Sequence, residues 1–201
     1  HKSLWFIWIG MVLNVCFINL PIFVLPQIAS THEIGLFGVS FRLVMLSTTI
    51  LVSLSALFGP HFVKYYQQND TKNLKQELQQ SQWYSLIAYS PFFIIFTLFP
   101  ESVLTLFGNE FKQATSILII LALAQLVNSA TGLVGYFLIM IEHEKIELIT
   151  LIITLAITLP LMFILGNSYG VIGVTLAYAI GISLKNILSL CLAYYFIKQI
   201  K

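Results

Sequence analysis

Charge is scarce in this chain. Charged residues make up 9% of its 201 residues, where a soluble domain carries roughly a quarter. Acids are scarcer still: Glu33, Asp70, Glu77, Glu101, Glu110, Glu142, Glu144 and Glu147 all stand at or near the loops between apolar runs. No paired carboxylates lie within a run, and no nucleophile with a base beside it or phosphate-binding glycine loop is present. The chain therefore does not read as an enzyme. The two cysteines, Cys16 and Cys191, lie inside apolar runs and read as small buried apolar residues, with no disulfide. His1, His32, His61 and His143 are scattered at run ends without metal-ligand spacing, so neither a metal nor a bound cofactor is expected. The first apolar run has no charged segment before it and no small-residue cleavage site after it, so it is not a signal peptide. The start at His1, without methionine, gives the expectation of a fragment whose N-terminal portion lies elsewhere.

What the chain does have is hydrophobic length. Apolar residues are 58% of it, too many for a soluble fold of this size to hide. They fall into six runs, at 4–25, 35–63, 83–99, 114–141, 146–165 and 171–197, each close to the ~17–25 residues that span a bilayer. The expected fold is an all-α membrane bundle of six helices in one domain over 1–201. Lysines occupy alternate gaps. With the N-terminus inside, Lys2, Lys64, Lys72, Lys75, Lys145, Lys198 and Lys201 are inside and only Lys112 is outside. This positive-inside bias places both ends in the cytoplasm.

Local signals refine the picture. Pro21 and Pro26 kink or stop the first run near its outer end. The polar segment 64–82 reads as a cytoplasmic amphipathic loop with a short helix at the headgroup surface, N-capped by Asp70 and carrying Leu74 and Leu78 on one stripe. Trp83 and Tyr84 mark an interface. A short outer helix closed by Gly108 follows Pro100, and a tight turn at 166–170 joins the last two runs.

Two cations fall inside runs. Arg42 lies about 10 Å below the outer boundary and Lys185 about 22 Å in, at 1.5 Å per residue. A cation facing lipid at the centre of a span costs roughly 2.5–3.5 kcal/mol, and the acids at the run ends offer Lys185 no internal partner. Arg42 either snorkels to the interface or, like Lys185, faces an aqueous cavity that holds an anionic substrate. Gly173, Ala177, Gly181, Lys185 and Ser189 recur every four residues, so one packing face runs into the lysine and turns it away from lipid. Gln125 and Asn128 on the fourth run, and Asn14 on the first, are the other candidate cavity residues, the amides serving either as interhelical hydrogen-bond partners or as cavity wall. Thr150, Thr154 and Thr158 read as packing or backbone contacts.

Four stretches then carry a resemblance. Glu33-Ile34-Gly35-Leu36-Phe37 through Phe41-Arg42-Leu43, with Leu57-Phe58-Gly59-Pro60 closing the same helix, is similar to one helix of the polysaccharide flippases, with Phe37 where tyrosine is usual. Leu106-Phe107-Gly108-Asn109-Glu110-Phe111 with Ala114, Ile117 and Leu118 is similar to a second segment. Tyr136-Phe137-Leu138 to Glu142-His143-Glu144-Lys145 is similar to a third, with Glu142 where glycine is usual. Tyr169-Gly170-Val171-Ile172-Gly173 is similar to a fourth. In order and spacing these resemble the C-terminal half of a flippase of the multidrug/oligosaccharidyl-lipid/polysaccharide exporter superfamily. The resemblance implies two six-helix bundles around a central cavity, this chain being the second and its partner an N-terminal lobe of the same protein. It implies that the protein flips undecaprenyl-pyrophosphate-linked oligosaccharide, the precursor of surface polysaccharides such as O-antigen and lipopolysaccharide, across a bacterial cytoplasmic membrane by alternating access. Arg42 and Lys185 would meet the pyrophosphate or acidic sugars. Membrane lipids are the other partner, and no nucleic acid is expected. Two alternatives stay open: a cation-coupled multidrug exporter of the same superfamily, which wants an acid within a span, and a membrane-embedded polysaccharide polymerase, which wants catalytic carboxylates. Coupling to H+ or Na+ is left open by these residues.

Overall fold

The computed structural model describes residues 2–200, with side chains from 5 to 200; His1, Lys201 and the Lys2 side chain, which entered the orientation argument, lie outside the described residues. Among the described residues the chain is helical and contains no strand: α1 (Lys2–Ile18), α2 (Leu20–Val24), α3 (Thr31–Gln67), α4 (Thr71–Leu98), α5 (Pro100–Thr105), α6 (Thr115–Thr131), α7 (Val134–Met140) and α8 (Glu144–Ile197). Three helical stretches are long and apolar enough to cross a membrane, and a fourth is added if the bent pair Trp5–Ile18 and Leu20–Gln27 is one span.

The prolines act as expected at the first run. Pro21 opens α2 and Pro26 opens the 3-10 turn after it, and the chain bends by 56° between the two pieces. α3 starts on a reciprocal cap: the Ser30 hydroxyl accepts from the Glu33 backbone N–H, and the Glu33 carboxylate accepts from the Ser30 backbone N–H. This Ser-x-x-Glu box is a standard helix-start signal, and α3 begins a turn before the expected second run because of it.

Two expectations are corrected. The segment 64–82 is not a separate surface helix. α3 continues to Gln67, and Asp70 then caps α4, which runs unbroken past Pro91 to Leu98. Asp70 is the expected N-cap: its carboxylate accepts from the Asn73 N–H and side-chain amide, and these bonds hold its carboxyl below the usual carboxylate range. Leu74 and Leu78, the expected stripe, are fully buried with Phe58, Phe62 and Phe137. They face protein, which is why the helix stands up against the bundle. The second correction concerns the run 114–141, which is two helices. Gly132 sits at φ 66°, ψ −140° between α6 and α7, and a Cβ there would come within 2.9 Å of the Gln82 backbone.

α8 is formally 54 residues long, about 80 Å at 1.5 Å per residue and far more than a bilayer needs. It is a hairpin. Gly170 takes φ 59°, ψ −140°, and the arms 144–169 and 171–197 run antiparallel. The partners show the register: a Cβ on Gly173 would overlap the Leu165 carbonyl, one on Gly181 would overlap Thr158, and Ser189 hydrogen-bonds Glu147. Ala177 is fully buried. The small-residue face read from the sequence thus packs on the other arm, while isoleucines at 149, 152, 153, 157, 164, 180 and 187 face outward.

Burial divides into two apolar clusters. One joins Leu36, Phe41, Leu118, Met162 and Tyr178. The other joins Phe58, Leu78, Phe137, Ala193 and Ile197. Between them lies a polar layer, and the site falls there. Glu142, which stands where the resembled family has glycine, takes φ 61°, a left-handed conformation that costs a side-chain-bearing residue roughly 1–2 kcal/mol. Against the entropy that glycine loses on folding, Glu142→Gly is expected to stabilise the full-length protein by about 0.5–1 kcal/mol. Thermal unfolding in detergent checks this; an unchanged or lower midpoint would mean that the strain is absent.

Candidate functional site

The site is built from one charge pair. Lys185, on the second arm of α8, places Nζ 2.6 Å from Oε1 of Glu147 on the first arm, with the two side chains 15% and 11% exposed. The Ser189 hydroxyl, one turn beyond Lys185, donates to Glu147 Oε2 at 2.7 Å. The expectation that Lys185 has no internal partner is therefore corrected. Glu147 stands three residues into the arm, near a loop by sequence, yet the hairpin register sets it across from Ser189. Lys185 is about 6 Å from that level, a gap its long stem closes. α7 covers the pair through Gly135, where a Cβ would come within 2.6 Å of Glu147 Oε1 and 3.5 Å of Lys185 Nζ. A side chain at 135 would have to displace the Glu147 carboxylate from the lysine or move α7 away.

An amide ladder stands beside it. Asn186 Nδ2 donates to Asn128 Oδ1 at 2.9 Å, and Asn128 Nδ2 donates to Gln125 Oε1 at 3.2 Å. The chain links α8 to α6. Its far end is unpartnered: Gln125 is 2% exposed, and its Nε2 has no hydrogen-bond acceptor among the described residues. A buried donor left unpaired costs roughly 1–3 kcal/mol, so it is poised to take an acceptor.

Two cavities meet at the pair. One, about 390 Å³, lies between α1, α7 and α8 and is lined by Gly10, Asn14, Tyr136, Glu144, Glu147 and Lys185 among others. The other, about 310 Å³, reaches α3 and α6, with Thr48, Gln125, Asn128 and Asn186 in its wall. Asn14, Gly135, Tyr136 and Lys185 line both. A groove of about 820 Å³ continues from Tyr136 along α3 to Lys64 and Gln67.

Of the residues expected at a cavity, Lys185, Gln125, Asn128 and Asn14 come together. Arg42 does not join them: it is exposed on α3 and lines none of these three spaces. Of the α3 residues lining the cavity, Thr48, Leu51 and Ser55 lie about 240°, 180° and 220° around the helix from Arg42, while Met45 and Val52, at about 60° and 80° from it, form the near edge of the wall. Gly173, Ala177 and Gly181 make the hairpin contact and leave the cavity to Lys185. Thr150 and Thr154 bond backbone carbonyls one turn back, as expected, while Thr158 packs on Gly181. Glu147, Asn186 and Gly135 were missed, and Ser189, which the sequence places on the face of Lys185, was read only as part of a packing face. For Glu147 a signal exists: counting from Gly170 along both arms brings it opposite Ala193, within about a turn of Ser189 and well inside the reach of its side chain.

Long apolar helices that enclose a buried ion pair, an amide ladder and connected cavities define a multi-pass membrane protein with an internal polar site. The chain belongs to the MatE family, whose profile matches residues 7–164. That span includes Asn14, Gln125, Asn128 and Glu147 and ends before Lys185. The chain is similar to a protein of Haloferax volcanii described as "Probable low-salt glycan biosynthesis flippase Agl15", at 21% identity over 157 residues, covering 78% of this chain and 33% of that protein. It thus spans about a third of that relative's length. No solved structure matches it.

Removing one partner of a buried pair leaves an uncompensated charge, at a cost of roughly 3–5 kcal/mol. Lys185→Met alone is expected to destabilise the protein by about that much, and the Lys185→Met/Glu147→Gln double variant to recover most of the loss. A double-mutant cycle on denaturation midpoints reads this; additive losses would mean that the two side chains are not coupled.

Proposed function

We propose that the chain is one lobe of a membrane flippase that moves isoprenoid-pyrophosphate-linked oligosaccharide between leaflets, undecaprenyl being the carrier in a bacterial inner membrane. The observation that carries this reading is the meeting of Lys185 and the Gln125–Asn128–Asn186 ladder at one pair of cavities. An ammonium suits a pyrophosphate. Amides offer donors and acceptors to sugar hydroxyls, and the half-exposed Tyr136 ring supplies an apolar face for a sugar ring. The family membership and the flippase description of the Haloferax volcanii relative support transport over enzymatic chemistry.

In this reading the chain crosses the membrane six times: the bent first pair, α3, α4, α6 with α7, and the two arms of α8. An N-terminal lobe completes the cavity, and both ends of the chain lie in the cytoplasm. The groove to Lys64 then opens toward the inner leaflet, where the cargo enters. Arg42, exposed on α3, faces the other lobe or the outer headgroups. Rocking of the lobes exposes the site to each side in turn.

A cation-coupled exporter is the second reading, and Glu147 favours it by supplying a buried acid within a long apolar helix. Its carboxylate and the Lys185 ammonium neutralise each other in the resting pair, so the preference for an anionic cargo is supported by the flippase description of the Haloferax volcanii relative.

The test is flipping of a fluorescent lipid-pyrophosphate oligosaccharide by the full-length protein in liposomes. Lys185→Met/Glu147→Gln, which leaves no lone charge, is expected to keep the fold and lower the rate at least about tenfold, a change of about 1.4 kcal/mol in the barrier. An undiminished rate would remove Lys185 from the transport site.

A further inference from the structure

We infer that Glu147 is a specificity-determining residue: a resident carboxylate that occupies the anion site of Lys185 and must be displaced by the cargo. The inference rests on the reading of Lys185 as the anion contact and adds a competitor to it.

The geometry carries it. Glu147 Oε1 sits 2.6 Å from Nζ, where a phosphoryl oxygen would bind. Gly135 allows α7 to close over the pair on one side, and on the open side, where Lys185 lines both cavities, an incoming anion meets an ammonium already held by the carboxylate. The carboxylate has somewhere to go. It lines the 390 Å³ cavity and keeps a hydrogen bond from Ser189 through Oε2, the oxygen that does not face the lysine. The exchange is balanced. One phosphoryl oxygen replaces one carboxylate oxygen at Nζ, and no proton or covalent bond changes hands. The other titratable groups lining that cavity are Glu144, also buried on the same arm, and Tyr136 on α7. α1 contributes the neutral Asn14, and in the adjoining cavity α3 and α6 contribute the neutral Thr48, Gln125 and Asn128.

The consequence is a threshold. A singly charged anion offers Lys185 nothing that the carboxylate does not. A pyrophosphate brings more charge to the same point, and the attraction scales with that charge. The site then ignores singly charged anions such as ordinary carboxylates and phosphodiesters and admits a pyrophosphate-linked cargo. If the carboxylate holds Lys185 in nine of ten molecules, the apparent dissociation constant is raised about tenfold.

The experiment measures inorganic pyrophosphate binding to the purified full-length protein by calorimetry, with acetate as the control anion. Glu147→Gln is expected to bind pyrophosphate about tenfold more tightly than wild type and to begin binding acetate. Glu147→Asp, which draws the carboxylate back by one methylene, is expected to fall between the two and serves if the Gln variant does not fold. Lys185→Met/Glu147→Gln is expected to lose binding. Equal or weaker binding by both Glu147 variants, with binding still lost in the double variant, overturns the competitor role and leaves the anion site standing. Undiminished binding by the double variant overturns both.

Discussion

An ammonium held deep among apolar helices has to be balanced, and in this chain the balance is a single carboxylate brought from the other arm of a hairpin. Nearly every local feature around the site serves that contact. The small-residue face of the second arm lets it lie tight on the first, so that Ser189 reaches Glu147 and Lys185 reaches over one turn to join them. Gly170 turns the chain back at a conformation that favours glycine, and Gly135 lets α7 pass above the pair. Lose the hairpin and the charges separate, each in a medium where an isolated ion costs several kcal/mol.

The pair sits where two apolar clusters fail to meet. Above and below it, phenylalanine and leucine fill the space between helices. At its level the side chains are amides, hydroxyls and charges, and they do not fill it. The same polar groups that leave the gap also line it, so the cavity and its polar wall have one origin. The break at Gly132 falls at this level too. Interrupted helices in apolar surroundings are tolerated where the freed backbone borders a cavity, and Gly132 lines one.

Most of the helices were legible in the residues because long apolar runs leave little choice. Asp70, Pro21, Pro26 and Gly108 punctuate the chain where their chemistry requires. The break in the fourth run was not legible, since a lone glycine is common in apolar helices and only the approach of Gln82 shows why this one departs from helix. The four residues Asn14, Gln125, Asn128 and Lys185 came from polarity against an apolar background. Glu147 did not, because depth was judged by distance from a run's end. In a hairpin the level of a residue is set by its partner across the turn. Arg42 has the same polarity signal as Lys185, but its side of α3 lies off the cavity wall, and only the placement of Thr48, Leu51 and Ser55 in that wall shows it.

The most direct test of the account is water and cargo access at the junction of the two cavities. With Cys16 and Cys191 replaced by alanine, Asn14→Cys places one thiol where both cavities meet. In the full-length protein in membranes, a membrane-impermeant maleimide should label that thiol, and a pyrophosphate-linked oligosaccharide lipid should slow the labelling. A thiol that never reacts, or one that reacts equally with and without the lipid, would contradict an aqueous, cargo-holding site around Lys185.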